Sequence, residues 1–557
     1  MTDTLAPLLA RVAAGARTHA GRGPRERAAL ARETARATAA TMRSWAEVAA
    51  EIKRAAGPTA AVVRAEETAT GPFGTLRLLL LTAAALDDVA RIGLPRLPRP
   101  PRHQAGPDGG FVAVDTLPVR SLLDPFAFAG QEASVRCVDP GGLAAFELAW
   151  RREVEERPRS GGVAAVLGAG NVSGLAAADA IAQIFEYGRG VVLKLHPLHG
   201  SLAPVLEEAL RPLVAAGVLA IVVGAADVAA ALVADPTVTH VHLTGGQAAF
   251  DALVWGGPGP WPPGTRPRLG KPITCELGNV TPWIVVPGAY PARQLAAQAD
   301  MVAASIINNT SFNCLATKCI VTASRWPQRE AFLERIRSRL ASVPARPAWY
   351  PGAAAAWEQL TGRPPTGEGT LPWLLRAGID PDRESRWIER EWFVPAAVEI
   401  PLEAETVDGF CGGAADLVRR LPGSLAASVT APLGLAAADA RRVESFTAHL
   451  PFGVVARDAW SALAFTAGNV PWGGFPGATL DRPRSGIGRV HDPLLLPLVH
   501  NSILRGPAVP RPAPPWLPWH PHGEALAVGL AEAYGRIAAG RSGIWRLLRM
   551  LPAVYAC

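Results

Sequence analysis

The residue in this sequence best suited to do chemistry is Cys314, in NNTSFNCLATKCIV. A thiolate adds to electrophilic carbon and can hold an acyl group as a thioester. A lone cysteine is more often a small core residue. This one follows a polar loop and precedes a strand-like run, which puts its sulfur at the edge of an element. Cys319 falls inside that run and reads as core. Cys275, next to Glu276 on a strand that alternates faces, should point away from it. Cys137, Cys411 and Cys557 have no motif around them.

Glu276, in CELGN, is a carboxylate able to move a proton, or else a solvated strand end. Asn171 closes the turn GAGN and offers an amide donor, or else serves as a left-handed turn residue. Lys194 lies in VVLKLHP, and a buried strand rarely carries an unpaired ammonium. The chain has only four lysines, Lys53, Lys194, Lys271 and Lys318, so each marks a place where a compact cation is wanted. Thr244, Gly245 and Gly246 form a turn ahead of a helix, a geometry that offers backbone N–H groups to an anion. Glu391 and Phe393 stand in EWFVP, where Phe393 by itself reads equally well as core.

The elements that must position these residues follow from the periodicity. From Gly162 short apolar runs alternate with helical stretches: GGVAAVLGAGN, VVLKLHP, VLAIVVGA and THVHLTGG as strands, with helices between. This β-α-β-α-β-α-β order specifies a doubly wound parallel sheet, which binds ligands at the carboxyl ends of its strands. Asn171, Lys194 to Pro197, and Thr244 to Gly246 all fall there. A second α/β stretch opens near Pro272 with ITCELGNVTPWIVVPG. Before residue 95 the chain is alanine-rich with helical spacing, and a Pro-rich hinge, LPRLPRPPRHQAGPDGG, closes that region.

The order and spacing of these segments resemble the aldehyde dehydrogenase superfamily, with a later PWGGFPG…SGIG segment adding to the match. The resemblance implies an α/β fold: a doubly wound Rossmann-type cofactor domain, an α/β catalytic domain, and small oligomerisation strands. It divides the chain into 1–105, a helical segment packing on the cofactor domain; 106–271, the dinucleotide-binding domain; 272–470, the catalytic domain; and 471–557, a return to the core with an oligomerisation strand and C-terminal extension. It implies Cys314 as nucleophile, Glu276 as general base, and Asn171 with the Cys314 N–H as oxyanion donors. Lys194 would bind the adenosine ribose, the Thr244–Gly245–Gly246 turn the pyrophosphate, and Glu391 with Phe393 the nicotinamide ribose. Pro197 stands where NAD-preferring members carry a glutamate, so NAD and NADP both stay open. Gly170 replaces a bulky residue and would open the pocket. Phe250 replaces a small one at the end of the pyrophosphate turn.

The implied reaction is NAD(P)-dependent oxidation of an aldehyde to a carboxylate through a thiohemiacetal and thioester. LHP, GNVTPWIVV and CLATK resemble acyl-CoA-forming members, so CoA acylation, or its reverse, acyl-CoA reduction, is the alternative. Glu276 tips the balance toward hydrolysis. A catalytically silent scaffold is the reading from another class. The resemblance also implies a homodimer or homotetramer built by strand exchange, with VRSLLDPFAF and HNSILRG as candidate strands.

Composition excludes other classes. At 49% hydrophobic and 18% charged residues the chain is globular. Its net charge of +7 comes from arginines dispersed among acids, with no basic stripe, so nucleic acid is not an expected partner. Cysteines without CxxC pairs argue against disulfides and zinc, and no metal is expected. The run LLLLTAAAL is short for a membrane span. The expectation is a cytoplasmic protein whose C-terminal Arg/Leu/Trp segment is a secondary candidate for membrane contact.

Overall fold

Alanine and leucine at helical spacing build the first ninety residues into stacked helices: α1 (Thr2–Ala20), α2 (Pro24–Ile52), α3 (Ala60–Thr68) and α4 (Gly74–Ile92). The computed structural model describes residues 2–105, 110–159, 161–262, 264–367 and 369–555; Cys557 lies outside them. The expectation of one or two helices in PRERAAL…EIKRA resolves into α2 alone. Pro24 opens it, and Glu26 accepts a hydrogen bond from the Gly23 N–H at 2.8 Å. The LLLL run is buried in α4. Residues Gly57–Ile92 are long and apolar enough to cross a membrane, but 78% of that window is buried inside the protein.

Next come β1 (Arg102–Gln104), β2 (Phe111–Leu117) and β3 (Glu132–Val138). The chain then builds β4 (Val163–Leu167), β5 (Gly190–Leu195), β6 (Leu219–Val223), β7 (His240–Thr244) and β8 (Ile273–Glu276). These five form a parallel sheet in the order β6-β5-β4-β7-β8. Its first four strands are those read from the sequence. α2 and α4 pack on this sheet's core, with Trp45, Leu76 and Leu79 fully buried beside Val166 and Leu193.

The rest of the chain adds β9 (Pro282–Val285), β10 (Cys319–Ala323), the small ribbon β11 (Arg346–Pro347) and β12 (Thr370–Leu371), then β13 (Leu374–Arg376), β14 (Ala396–Leu402), β15 (Ala426–Thr430), β16 (Val454–Arg457) and β17 (Val499–Arg505). A ten-stranded sheet runs β1-β2-β3-β17-β16-β15-β9-β10-β14-β13.

Two sequence-based boundaries and one strand expectation differ from this arrangement. β2 and β3, inside the 106–271 range, join the ten-stranded sheet, because β3 pairs antiparallel with β17. β8, inside the 272–470 range, completes the five-stranded sheet beside β7. VRSLLDPFAF is not a strand. It forms a turn and the short helix Asp124–Ala127, because Asp124 is drawn inward by the fully buried Arg77 guanidinium at 2.6 Å. HNSILRG is a strand, β17, and both its edges pair within this chain, to β16 and β3.

Candidate active site

The catalytic candidates meet where the two sheets face each other. β8 ends at Glu276, in register with Thr244 at the end of β7. Cys314 sits on the loop after the helix Ala292–Ile307, just before β10. The Cys314 thiol lies 3.4 Å from Glu276 Oε1, and the other carboxylate oxygen accepts the Trp472 indole N–H at 2.6 Å. Burial raises the Glu276 carboxyl to about 7, helped by the Asp179 charge and opposed by the Trp472 hydrogen bond. Burial, then the charges of Glu276 and Glu391, push the Cys314 thiol well above its ordinary range. The resting pair is thus a thiol donating to a carboxylate that titrates near neutrality, the arrangement a general base needs to take the proton. Cys275 points away, buried at 1% exposure and accepting the Ile487 N–H at 3.3 Å.

Asn171 is buried after β4. Its Nδ2 donates to the Phe312 carbonyl at 3.1 Å, two residues before Cys314, and its second amide hydrogen remains for an oxyanion. Gly170 does not open the pocket: a Cβ there would stand 2.5 Å from the His196 ring, which fills that space and stacks on Tyr350.

The loop carrying Cys314 is held in an uncommon backbone. Asn309, Thr310 and Ser311 all have left-handed φ, at 54°, 56° and 63°. Three non-glycine residues in that region persist only if their surroundings fix them. Lys318, fully buried, donates to the Ser311 carbonyl, Ser311 Oγ and the Val394 carbonyl. From the N-terminal helices, Lys53 donates to Asn309 Oδ1 at 2.6 Å and Glu66 accepts the Asn309 N–H at 3.2 Å. Lys53 also pairs with Glu67, Glu67 accepts from Ser173 Oγ at 2.7 Å, and Glu66 pairs with Arg346 at 2.9 Å. Sequence reasoning missed Trp472, Ser173, Asn309 and these glutamates. The scarcity of lysine was the one signal that pointed toward Lys53 and Lys318.

On the side expected to take a dinucleotide, Lys194 is the penultimate residue of β5, buried, its pKa lowered by desolvation and partly restored by Asp227. Pro197 opens the short helix Pro197–Leu202 and is exposed. The Thr244–Gly246 turn differs in part from expectation. The Gly245 N–H donates to the Glu276 carbonyl at 3.0 Å, and the Thr244 hydroxyl donates inward to Asp179 at 2.8 Å. The anion donors left at this turn are the first N–H groups of the helix Gln247–Val254. A Cβ at Gly246 would meet open space. Phe250 is fully buried in the core beneath and does not crowd the turn.

Glu391 lies against Gly278, where a Cβ would stand 2.3 Å from its Oε2, so the glycine of CELGN gives this carboxylate its room. Its Oε1 is buried without a hydrogen-bond partner. Phe393, with φ of 51°, stacks on Phe312 at 6.0 Å and packs edge-on to Tyr350 at 5.0 Å. A buried acceptor left without a donor, beside an aromatic face, fits a ligand bringing hydroxyl groups and a flat ring. A cavity of about 670 Å³ opens at Cys314 and Glu276.

Residues 130–354 match the description "Aldehyde dehydrogenase family". Solved structures with the same fold include an NAD-dependent aldehyde dehydrogenase from Sinorhizobium meliloti, at 17% identity and TM-score 0.60 over 92% of this chain and 88% of that one. The NADP-dependent glyceraldehyde-3-phosphate dehydrogenase of Bacillus halodurans C-125, complexed with NADP, aligns at 16% identity and TM-score 0.59 over 90% and 91%. A salicylaldehyde dehydrogenase from Pseudomonas putida G7, complexed with salicylaldehyde, aligns at 15% and 0.59 over 90% of each. Among curated proteins no sequence matches.

Proposed function

We infer that this chain, a member of the aldehyde dehydrogenase superfamily by its fold and by the match over residues 130–354, oxidises an aldehyde to a carboxylate with NAD or NADP. The observation that carries the reading is the Cys314 thiol hydrogen-bonded to a buried carboxylate that titrates near 7.

Lys194, the amino end of Gln247–Val254, the Glu391 carboxylate through its Oε1, and the Phe393 ring would hold the dinucleotide. Bound there, its nicotinamide ring supplies the hydride acceptor. The chain's own residues do the rest. Glu276 takes the Cys314 proton, and the sulfur adds to the aldehyde carbon. The free Asn171 amide hydrogen and the Cys314 N–H stabilise the oxygen that gains charge. Once the carbon is at the acyl level, the ester is carried on Cys314 sulfur. After passing that first proton to solvent, Glu276 takes a proton from water, which attacks the acyl carbon; the Cys314 sulfur leaves and is reprotonated by Glu276, releasing the carboxylic acid.

The test is a single-turnover assay with aldehyde and either dinucleotide, with and without CoA, followed at the reduced-nicotinamide band. Carboxylate should form without CoA, and Cys314→Ala should lose at least about a thousandfold in rate, the scale of removing a covalent nucleophile. Full turnover in that variant would sink the nucleophile, and product only in the presence of CoA would replace water with a thiol as acceptor.

A further inference from the structure

We propose that the substrate is a long-chain aliphatic aldehyde whose tail lies in a tunnel walled by the C-terminal segment from Pro507 to Tyr555. The reactive end of this inference rests on the dehydrogenase reading; the tail end rests on the cavity alone.

The cavity of about 670 Å³ is continuous from Cys314 and Glu276 to the last helices of the chain. Near the sulfur its wall is Val172, Trp460 and Phe465; farther out it is Leu530, Met550 and Leu551. Apart from Glu276, the carboxylates on its lining are each committed to an arginine: Glu66 to Arg346, Glu524 to Arg64, and Asp458 to Arg457. The remaining cation on the lining, Arg511, is exposed. Thr70, Gln131, Thr466, His520 and His522 also reach the lining, but most of it is apolar, so an alkyl tail gains from burial along the greater part of the wall. A methylene is close in size to a water molecule, whose share of liquid volume is about 30 Å³, so the space admits a chain of more than roughly ten carbons.

The outer wall is a built surface. Leu547, Met550, Leu551 and Val554 recur at helical spacing toward the cavity, while Trp545 and Leu548 face out. Gly529 lets this end of the chain sit close on the helix Gly523–Ala538, since a Cβ there would stand 2.5 Å from Met550 Sδ. Gly543 approaches the Ala533 carbonyl in the same way, and Arg546 pairs with Glu532 at 2.6 Å.

The experiment compares kcat/KM for butanal, octanal, dodecanal and hexadecanal with the full chain and excess dinucleotide. The value should rise roughly two- to fourfold per added methylene until the tunnel is full. Met550→Trp should cut the dodecanal-to-butanal ratio at least tenfold. A flat or falling series overturns the proposal, as does an unchanged ratio in the variant. A second measurement needs no dehydrogenase activity: the rates at which N-butyl and N-dodecyl iodoacetamide alkylate Cys314, read by peptide mass. Labelling at least tenfold faster by the dodecyl reagent supports the tunnel, and equal rates overturn it. Absence of turnover with every aldehyde, alongside chain-length-dependent labelling, would sink the dehydrogenase reading and leave the tunnel standing.

Discussion

At the scale of single residues, Glu276 is tuned by opposing forces. Burial and the Asp179 charge favour its neutral form, and the Trp472 N–H favours the anion. Only the anion can accept the Cys314 proton, so kcat/KM should be low in acid, rise as pH climbs through about 7, and level off above it. Glu276→Gln should abolish that limb along with most of the activity. Trp472→Phe removes a charge-assisted donor, so the carboxyl titrates higher and the acid limb should move up by about one pH unit, since one unit corresponds to ~1.4 kcal/mol. A limb that moves downward, or stays put, would show that another group governs it.

At the scale of elements, the nucleophile's loop is held from outside its own sheet. Besides Lys318, the left-handed run 309–311 draws restraint from Lys53, just past the end of α2, and from Glu66 of α3. Lys53→Met would strand the buried Glu67 carboxylate. Breaking a buried pair from one side costs about 3–5 kcal/mol, so urea unfolding should show a loss of that order. Alkylation of Cys314 should change in parallel as the loop relaxes. On the cofactor side, Gly278→Ala puts a Cβ 2.3 Å from Glu391 Oε2. The carboxylate must swing away, and the dinucleotide KM should rise about tenfold, the cost of roughly one charged hydrogen bond. An unchanged KM would remove Glu391 from the cofactor site.

Across the whole molecule, the C-terminal segment is part of the structural core. Tyr534, fully buried, donates to Asp124 at 3.3 Å and accepts from Arg77 at 2.6 Å. Arg77 in turn bridges α4 to the short helix Asp124–Ala127 and to the Ala467 carbonyl. Ending the chain after residue 511 would strip Tyr534, one of three partners, from a buried guanidinium and bare the apolar faces of α2 and α3. Such a truncated chain should lose cooperative thermal unfolding or melt at a clearly lower temperature than the full chain. A truncation that melts like the full chain would make the segment an appendage.

The sequence alone determined the doubly wound sheet, because four strands and their helices are contiguous and each pattern is local. It also singled out Cys314 and Glu276 by residue type and place in the pattern, while Glu391 stood out only through the resemblance carried by EWFVP. It could not show that β8 and β9, a few residues apart in ITCELGNVTPWIVV, belong to different sheets, since both are short apolar runs with no break in pattern. Nor could it give Trp472 as the partner of Glu276, or Lys53 as the support of Asn309. Those pairs are separated by about two hundred residues or more, and their meeting is fixed by how the layers pack. What the tertiary structure decided is the surroundings of each group: which carboxylate is dry, which backbone is held left-handed, and which end of the chain closes the cavity. Those depend on burial, and burial is a property of the folded whole.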